Sequence, residues 1–597
     1  MKIFKKKSAA INHNHVPTVY SRSIKSSQTK SSRYSNTSRC IKSSCGSCGS
    51  RLIILLIIIL LNTVTPIFPL NFHDEGSPQE LAAAIESAMT DEQALAQIYM
   101  LGWVGESPSP LILDWIRQRN IGGIKIFGWN TPNTQRLAET VGRLQGLSLS
   151  GQFGIPLLVA TDQEGGWVRH IRGTTRETPG NMAIGASGYP RDAYLSGYYI
   201  GQELALVGVN MNFAPTVDLF TNRNSTLIGP RAFGNNPVNA GILGAAFMRG
   251  QLAAGVIPTA KHFPGHGDTD LDSHAFLPRI EADFNTIWNR ELVPYRMLVA
   301  EGIPAVMSGH LAFPQTEGGL TPASLSSWFL RDVLRGRIGF NGVVVTDELM
   351  MVGATSYLGT LSRTAKQAVI AGNDIIMFSN TPFLNDAVWT YLINSMRDEE
   401  DFRAAVRASA RRVLELKLTY LRGENSVPYI PDLARVETEI PNPQASAFFL
   451  NLASRSATIV YPSDPDTVFP LTRESAGRIL LAGRYSDFFT YGRAAFPNST
   501  PYYFSADTEP EEIVPIARNA DTVVFCLSDY SDLRVLRSLR YMNRAVYVIS
   551  VLNPVHLERA AWVTGAVAVY SYAPESFAAA FSVLTGRMPA LGTLPYE

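Results

Sequence analysis

The sequence predicts a (β/α)8 barrel of the TIM type followed by a smaller α/β sandwich, and three observations carry that prediction. Short apolar runs alternate with helically spaced segments over about 330 residues, the pattern of strands buried on both faces by helices. Polar residues stand repeatedly at the carboxyl ends of those runs: Asp162, Asp218, Lys261 with His262, His310 and Asp347. In a closed barrel those ends meet at one mouth, whereas in an open sheet they would spread along an edge. Finally, 46% hydrophobic residues, with 8 Trp, 23 Tyr and 28 Phe in 597 residues, supply enough apolar surface for two cores and exclude a disordered or fibrous chain.

In chain order the expected barrel strands are Gln97–Leu101, Gly123–Phe127, Leu157–Asp162, Val209–Ala214, Ile257–Lys261, Ala305–Ser308, Val343–Asp347 and Ile375–Phe378. Amphipathic stretches such as Asn285–Ala300 and Thr360–Ala371 read as helices between them. The barrel is expected over residues 80–420. Residues 421–445, with Gly423, Pro428, Pro431, Pro441 and Pro443, read as a linker. From 446 to 597 the strand candidates Ala457–Tyr461, Arg478–Ala482, Thr522–Leu527, Ala545–Val551 and Ala566–Tyr570 alternate with helical candidates such as Pro510–Asn519 and Pro574–Leu584. Cys526 reads as a buried apolar side chain in one of these strands.

The segment before the barrel is different in kind. The chain has 52 Lys and Arg against 51 Asp and Glu; eleven of the basic residues lie in 1–51, where there is no acid. The rest therefore carries 41 against 51, a net −10, which argues against a phosphate backbone as partner and excludes nucleic acid. Arg51 is followed by ten apolar residues, Leu52 to Leu61, and a mixed stretch to residue 72. Ten helical residues rise about 15 Å and the whole segment about 30 Å, so both a signal-peptide core and a membrane anchor remain open. Positive charge ahead of the run holds that side in the cytoplasm, so the body is expected to be exported, with membrane contact only if the segment is retained. Cys40, Cys45 and Cys48 lie in the basic part, without a second pair or a histidine that would complete a zinc site.

The densest chemistry is Lys261-His262-Phe263-Pro264-Gly265-His266-Gly267-Asp268-Thr269-Asp270-Leu271-Asp272-Ser273-His274. Pro264, Gly265 and Gly267 make it a poor helix or strand and a good loop at a strand end. Its histidines and aspartates have three readings on residue type alone. They can be metal ligands, although no helical His-x-x-x-His pair and no Glu partner is present; they can tie down a loop; or Asp272 can orient His274 and raise its basicity for proton transfer near neutral pH. Asp347, at the end of an apolar run, is placed either as a nucleophile at a barrel mouth or as a helix cap.

These residues together resemble glycoside hydrolase family 3, in particular its β-N-acetylglucosaminidase branch. Lys261–His274 follows that branch's Lys-His-Phe-Pro-Gly-His-Gly-Asp-Thr-x-x-Asp-Ser-His motif at every specified position. Asp162-Gln163-Glu164-Gly165-Gly166, Asn212-Phe213-Ala214-Pro215, Gly229-Pro230-Arg231-Ala232-Phe233-Gly234 and Thr346-Asp347-Glu348-Leu349 follow the family in order and context. The resemblance spans about 80–597 and includes a C-terminal sandwich ending in Gly586-Arg587-Met588-Pro589-Ala590-Leu591-Gly592-Thr593-Leu594-Pro595.

The resemblance implies a retaining glycosidase without metal or cofactor, acting on β-GlcNAc-containing oligosaccharides and needing no protein partner. In it Asp347 is the nucleophile, His274 the general acid/base and Asp272 its orienting carboxylate. Asp162, Arg231, Lys261 and His262 match positions that hydrogen-bond the hydroxyls of the non-reducing sugar. One departure stands out. The family often reads Asp-Gln-Glu-Gly-Gly-Arg-Val-x-Arg, with an arginine eight residues after the aspartate that contacts the sugar. Here that position is His170, with Arg169 one place early and Arg172 two places late, so either Arg169 or Arg172 substitutes through a shifted loop or the sugar pocket is altered, and the expected sugar-binding set is Asp162, Arg231, Lys261, His262, His170 and Arg169. The leading expectation is an exo-acting enzyme releasing terminal GlcNAc from peptidoglycan fragments or chitooligosaccharides. The alternatives are a β-N-acetylglucosaminide phosphorylase, since an imidazole acid/base does not repel phosphate as a carboxylate would, another β-glycosidase of the family, and a non-catalytic cell-wall carbohydrate-binding protein.

Overall fold

The computed structural model describes residues 70–462 and 464–596. The basic segment 1–51 and nearly all of the apolar segment 52–72 lie outside these residues. Among the described residues no helix is long and apolar enough to cross a membrane.

Eight parallel strands form the barrel: β1 (Tyr99–Leu101), β2 (Gly123–Ile126), β3 (Leu158–Thr161), β4 (Met211–Asn212), β5 (Ile257–Phe263), β6 (Ala305–Ser308), β7 (Val343–Thr346) and β8 (Ile376–Phe378). They pair in the order β8-β1-β2-β3-β4-β5-β6-β7, and a parallel bridge between Val345 and Ile375 joins β7 to β8. Alternation along the strands sorts the side chains into two cores. Met100, Leu158, Ala160, Met211, Phe213, Ile257, Ala305, Met307, Val343, Val345 and Met377 fill the barrel interior. Their neighbours, including Ile124, Ile126, Val159, Val306 and Val344, face the surrounding helices. Most strand positions are therefore apolar on both faces, which is why the sequence shows apolar runs here.

One expected helix is broken. Residues 285–300 form Phe284–Asn289 and Leu292–Ala300 in place of one continuous helix. Pro294 is the cause: inside a longer helix its ring would strike the carbonyl of Arg290, four residues earlier, so the helix restarts beyond that residue. The break frees Arg290 to pair with Asp268 Oδ2 at 2.5 Å, which ties it to the histidine loop.

The stretch 421–445 carries the helix Leu433–Glu439 and the start of Pro443–Ser456, and Val436, Ile440 and Ala445 pack into the barrel's helix-facing core. Beyond it lies a six-stranded sheet of β9 (Thr458–Tyr461), β10 (Ile479–Gly483), β11 (Thr500–Tyr503), β12 (Thr522–Leu527), β13 (Ala545–Ser550) and β14 (Gly565–Ala568), in the order β9-β14-β13-β12-β10-β11. Only β9 runs antiparallel, against β14. Helices cover both faces: Leu481, Val524, Cys526, Ile549 and Val567 face one layer, and Leu480, Val523, Phe525, Val546 and Val548 the other. Cys526 is a buried free thiol whose pKa is pushed up by burial.

The tail of the chain returns to the barrel. Pro595 O accepts the backbone N–H of Asn235 at 3.2 Å, and Thr593 N–H donates to Ala186 O at 3.1 Å. Gly234 (φ 145°) lies so close that a Cβ there would sit 2.2 Å from Pro595 O. Tyr596 and Tyr570 join Met182, Phe220, Ile228 and Ala232 in an apolar cluster between the two domains. The tail thus buttresses the loop that carries Arg231.

Candidate active site

The carboxyl ends of the barrel strands bring together most of the residues singled out by sequence. Asp162 follows β3 directly. Its Oδ1 is ion-paired with Lys261 Nζ and its Oδ2 receives Lys125 Nζ at 2.6 Å. Lys261 also reaches Glu164 Oε1 at 2.6 Å. Arg231 grips the same glutamate bidentately, with Nε donating to Oε2 at 2.9 Å and Nη2 to Oε1 at 2.8 Å. His262 Nδ1 lies 2.7 Å from Asp218 Oδ2, and Arg231 Nη2 is 3.4 Å from His262 Nε2. Asp218 also accepts the backbone N–H of His266 at 2.7 Å. The result is a continuous lattice in which Lys125, Asp162, Lys261, Glu164 and Arg231 alternate in charge, and His262 joins Arg231 to Asp218.

Burial alone would raise all three carboxyls, yet the neighbouring cations win. Asp162 is held well below the ordinary carboxylate range by Lys125, Lys261 and His170. Glu164 is held at about 2 against its burial by Arg231 and Lys261, and Asp218 at about 2 against its burial by His262 and His266. The Lys261 ammonium loses from burial and gains more from Asp162 and Glu164, so its pKa rises.

Asp347 follows β7. Its backbone N–H donates to Ser308 O at 3.0 Å, and its Oδ1 accepts the N–H of Glu348 at 2.8 Å. Burial would raise its pKa, but His262, His310 and the Glu348 N–H together hold it below the usual value. His310, on the turn after β6, is fixed at both ring nitrogens: Nδ1 lies 2.7 Å from Ser324 Oγ, and Nε2 donates to Glu348 O at 3.0 Å. It braces the backbone that presents Asp347.

His274 and Asp272 stand on the loop after β5, which docks against the residues following Asp347. Gly353 N–H donates to Ser273 O at 3.1 Å and Val352 N–H to His274 O at 3.4 Å. Within the pair, His274 Nδ1 is 2.7 Å from Asp272 Oδ1. The imidazole is 69% exposed, unlike every other histidine of the loop. His266 is buried beneath it, 3.2 Å from Ser273 Oγ, and burial followed by the charge on His262 lowers it to about 4.

The structure separates the two neighbours at the departure from the family motif. His170 points into the cluster, with Nδ1 3.2 Å from Lys125 Nζ and 3.7 Å from Asp162 Oδ2. Arg169, the last residue of the short strand Val168–Arg169, turns away to pair with Glu177, and Arg172 lies exposed along Gly128. No arginine comes from this segment to Asp162. Four members of the site have no role in the sequence reading: Lys125, Glu164, Asp218 and His310. Asp218 and His310 do stand at strand ends, which was their only signal. Lys125 lies inside an apolar run and has none.

A parallel eight-stranded barrel with an ionised carboxylate and a buried lattice of ion pairs at its mouth has the make-up of a barrel glycoside hydrolase. Residues 90–416 match the glycosyl hydrolase family 3 N terminal domain, and the chain belongs to that family. It is 32% identical over 414 residues to the beta-hexosaminidase A of Pseudoalteromonas piscicida, covering 64% of this chain and 66%, just under two thirds, of that protein. It is 34% identical over 273 residues to a beta-hexosaminidase of Aromatoleum aromaticum, covering 44% of this chain and 74% of that one. Among solved structures it resembles a glycoside hydrolase family 3 beta-N-acetylglucosaminidase from Paenibacillus sp. str. FPU-7, with a TM-score of 0.77 and 28% identity over 85% of this chain and 99% of that one.

Proposed function

We propose that the chain is an exo-acting, retaining β-N-acetylglucosaminidase that releases terminal β-linked GlcNAc from peptidoglycan fragments or chitooligosaccharides. The observation that carries this reading is the state of Asp347: a carboxylate kept ionised at the barrel mouth, with one oxygen fixed by the Glu348 N–H. Its free oxygen attacks the anomeric carbon as the bond to the leaving oxygen breaks, and His274 delivers a proton to that oxygen. Water, deprotonated by the same imidazole, then displaces Asp347 and returns the carboxylate.

The exposure of His274 suits this role. A group that must meet two different partners in turn, an aglycone oxygen and a water, needs an open position, and the Asp272 hydrogen bond fixes the proton of Nδ1 so that Nε2 does the exchange. The lattice of Asp162, Arg231, Lys261 and His262 supplies charged partners for sugar hydroxyls, and a site built this way rejects analogues that lack them. The names of the relatives favour an N-acetylhexosamine. The basic and apolar N-terminal segments support export of the body across a membrane, testable by fractionating cells that express the full chain.

The functional test is mass analysis of products from chitobiose and from a muropeptide mixture, with phosphate present and absent. Release of free GlcNAc under both conditions is expected. GlcNAc 1-phosphate formed only with phosphate would establish phosphorolysis instead, and binding without turnover at any pH would establish a lectin-like role.

A further inference from the structure

Lys125 is a buried cation at the centre of the site. On β2, Ile124 and Ile126 face the helices, so alternation turns Lys125 into the barrel, where its ammonium lies 4.5 Å from the centre of the Phe127 ring and 5.4 Å from that of Phe213. Its three N–H groups find three acceptors: Asp162 Oδ2 at 2.6 Å, Ile126 O at 3.1 Å and His170 Nδ1 at 3.2 Å. An ammonium can only donate, so His170 accepts at Nδ1 and carries its proton on Nε2.

We propose that Lys125 is a positioning residue of the sugar site: it holds the second oxygen of Asp162 in place of an arginine at 170, and His170 is its obligatory neutral partner. This rests on the reading of Asp162 as a sugar-binding carboxylate. Both Asp162 oxygens are then taken by ammonium groups, Lys261 on one and Lys125 on the other, and only the remaining lone pairs, in fixed directions, are left for sugar hydroxyls. The two ways of supplying the second cation exclude each other. From the backbone of residue 170 a guanidinium would reach Asp162, because the shorter imidazole already comes within 3.7 Å of it. It would also press against the Lys125 ammonium, which sits 3.2 Å from that ring. A lysine that only filled the space between Phe127 and Phe213 would be replaced at no loss by methionine, which carries no desolvation cost.

The test is a reciprocal swap. Lys125→Met and His170→Arg alone should each raise KM for an aryl β-GlcNAc glycoside by about 10- to 100-fold, with kcat changed less, as expected for losing or crowding a charged hydrogen bond. The double variant, Lys125→Met with His170→Arg, should return to within about threefold of the parent, because a second cation again faces Asp162 beside Lys261. Additive losses in the double variant overturn the proposal. A second readout needs no turnover. By histidine NMR, His170 should titrate near 4 in the parent, lowered by burial and then by Lys125, and should move up in Lys125→Met, where Asp162 and the Ile126 backbone still raise it while burial and Lys261 still lower it. An unmoved titration overturns the linkage. If the parent hydrolyses no β-GlcNAc glycoside, the functional reading falls, while the titration still decides the pairing. Lys125→Gln, which keeps a donor without the charge, serves both assays if methionine impairs folding, with the same expected rise in the His170 titration.

Discussion

Asp272 Oδ1 holds His274 twice, accepting its backbone N–H at 2.9 Å and facing its Nδ1 at 2.7 Å. The two contacts fix both the position and the tautomer of an otherwise exposed ring. His274→Ala should therefore depress turnover of chitobiose by about 10²- to 10⁴-fold, and that of a p-nitrophenyl glycoside, whose leaving group needs little protonation, by much less. Equal losses on the two substrates would remove His274 from the acid role. Asp272→Asn should give a smaller loss in the same order, together with a shifted pH–rate profile.

Asp347→Asn keeps the shape of the side chain and an acceptor for the Glu348 N–H while removing the attacking charge. Turnover of p-nitrophenyl β-GlcNAc should fall by at least about a thousandfold with the melting temperature nearly unchanged. Near-parental turnover would reject Asp347 as nucleophile.

Glu291 lies buried behind the histidine loop, with Oε1 2.5 Å from Arg290 Nε and Oε2 lacking a hydrogen-bond partner. Burial raises its pKa to about 7 despite Arg290. The folded protein thus keeps a proton between pH 4.5 and 7 that the unfolded chain releases, so this group lowers stability as pH rises through that window. Melting curves of Glu291→Gln should lie above the parent at pH 7 and converge with it near pH 4.5. A constant offset at all pH values would mean that Glu291 does not titrate there.

Gly234→Ala places a Cβ against Pro595 O, at a positive φ that alanine avoids. A stability loss of about 1–3 kcal/mol is expected, with a rise in KM as the Arg231 loop shifts. Urea denaturation together with steady-state kinetics checks both; a stable variant with parental KM would show that the tail does not support the loop.

The barrel was legible because most of its strands are apolar runs, and the histidine loop because its residues are adjacent in the chain. Lys125 was not. A lysine inside Gly123–Ile126 reads as an interruption until closure of the barrel shows that it points at Asp162, 37 positions later. Arg169, one place early in the motif, pairs with Glu177 while His170 faces Asp162, and spacing along the chain does not show which of two neighbours turns inward. The edge strand Thr500–Tyr503 escaped because Pro501 and its half-polar composition fit a strand only at a sheet margin. The split at Arg290 could have been seen from Pro294, whose position forbids one uninterrupted helix.

The return of residues 592–596 to the Gly234 loop bears on how such a chain can exchange parts with its kin. A crossover at residues 421–445, the obvious seam, would hand the barrel a foreign tail, and the Arg231 loop would meet a strap shaped for another protein. Lineages that trade sandwich domains would have to trade the strap and the loop together, or leave Arg231 unsupported. The unit that holds Arg231 in place is thus the barrel together with residues 592–596, although more than 150 positions separate them along the chain.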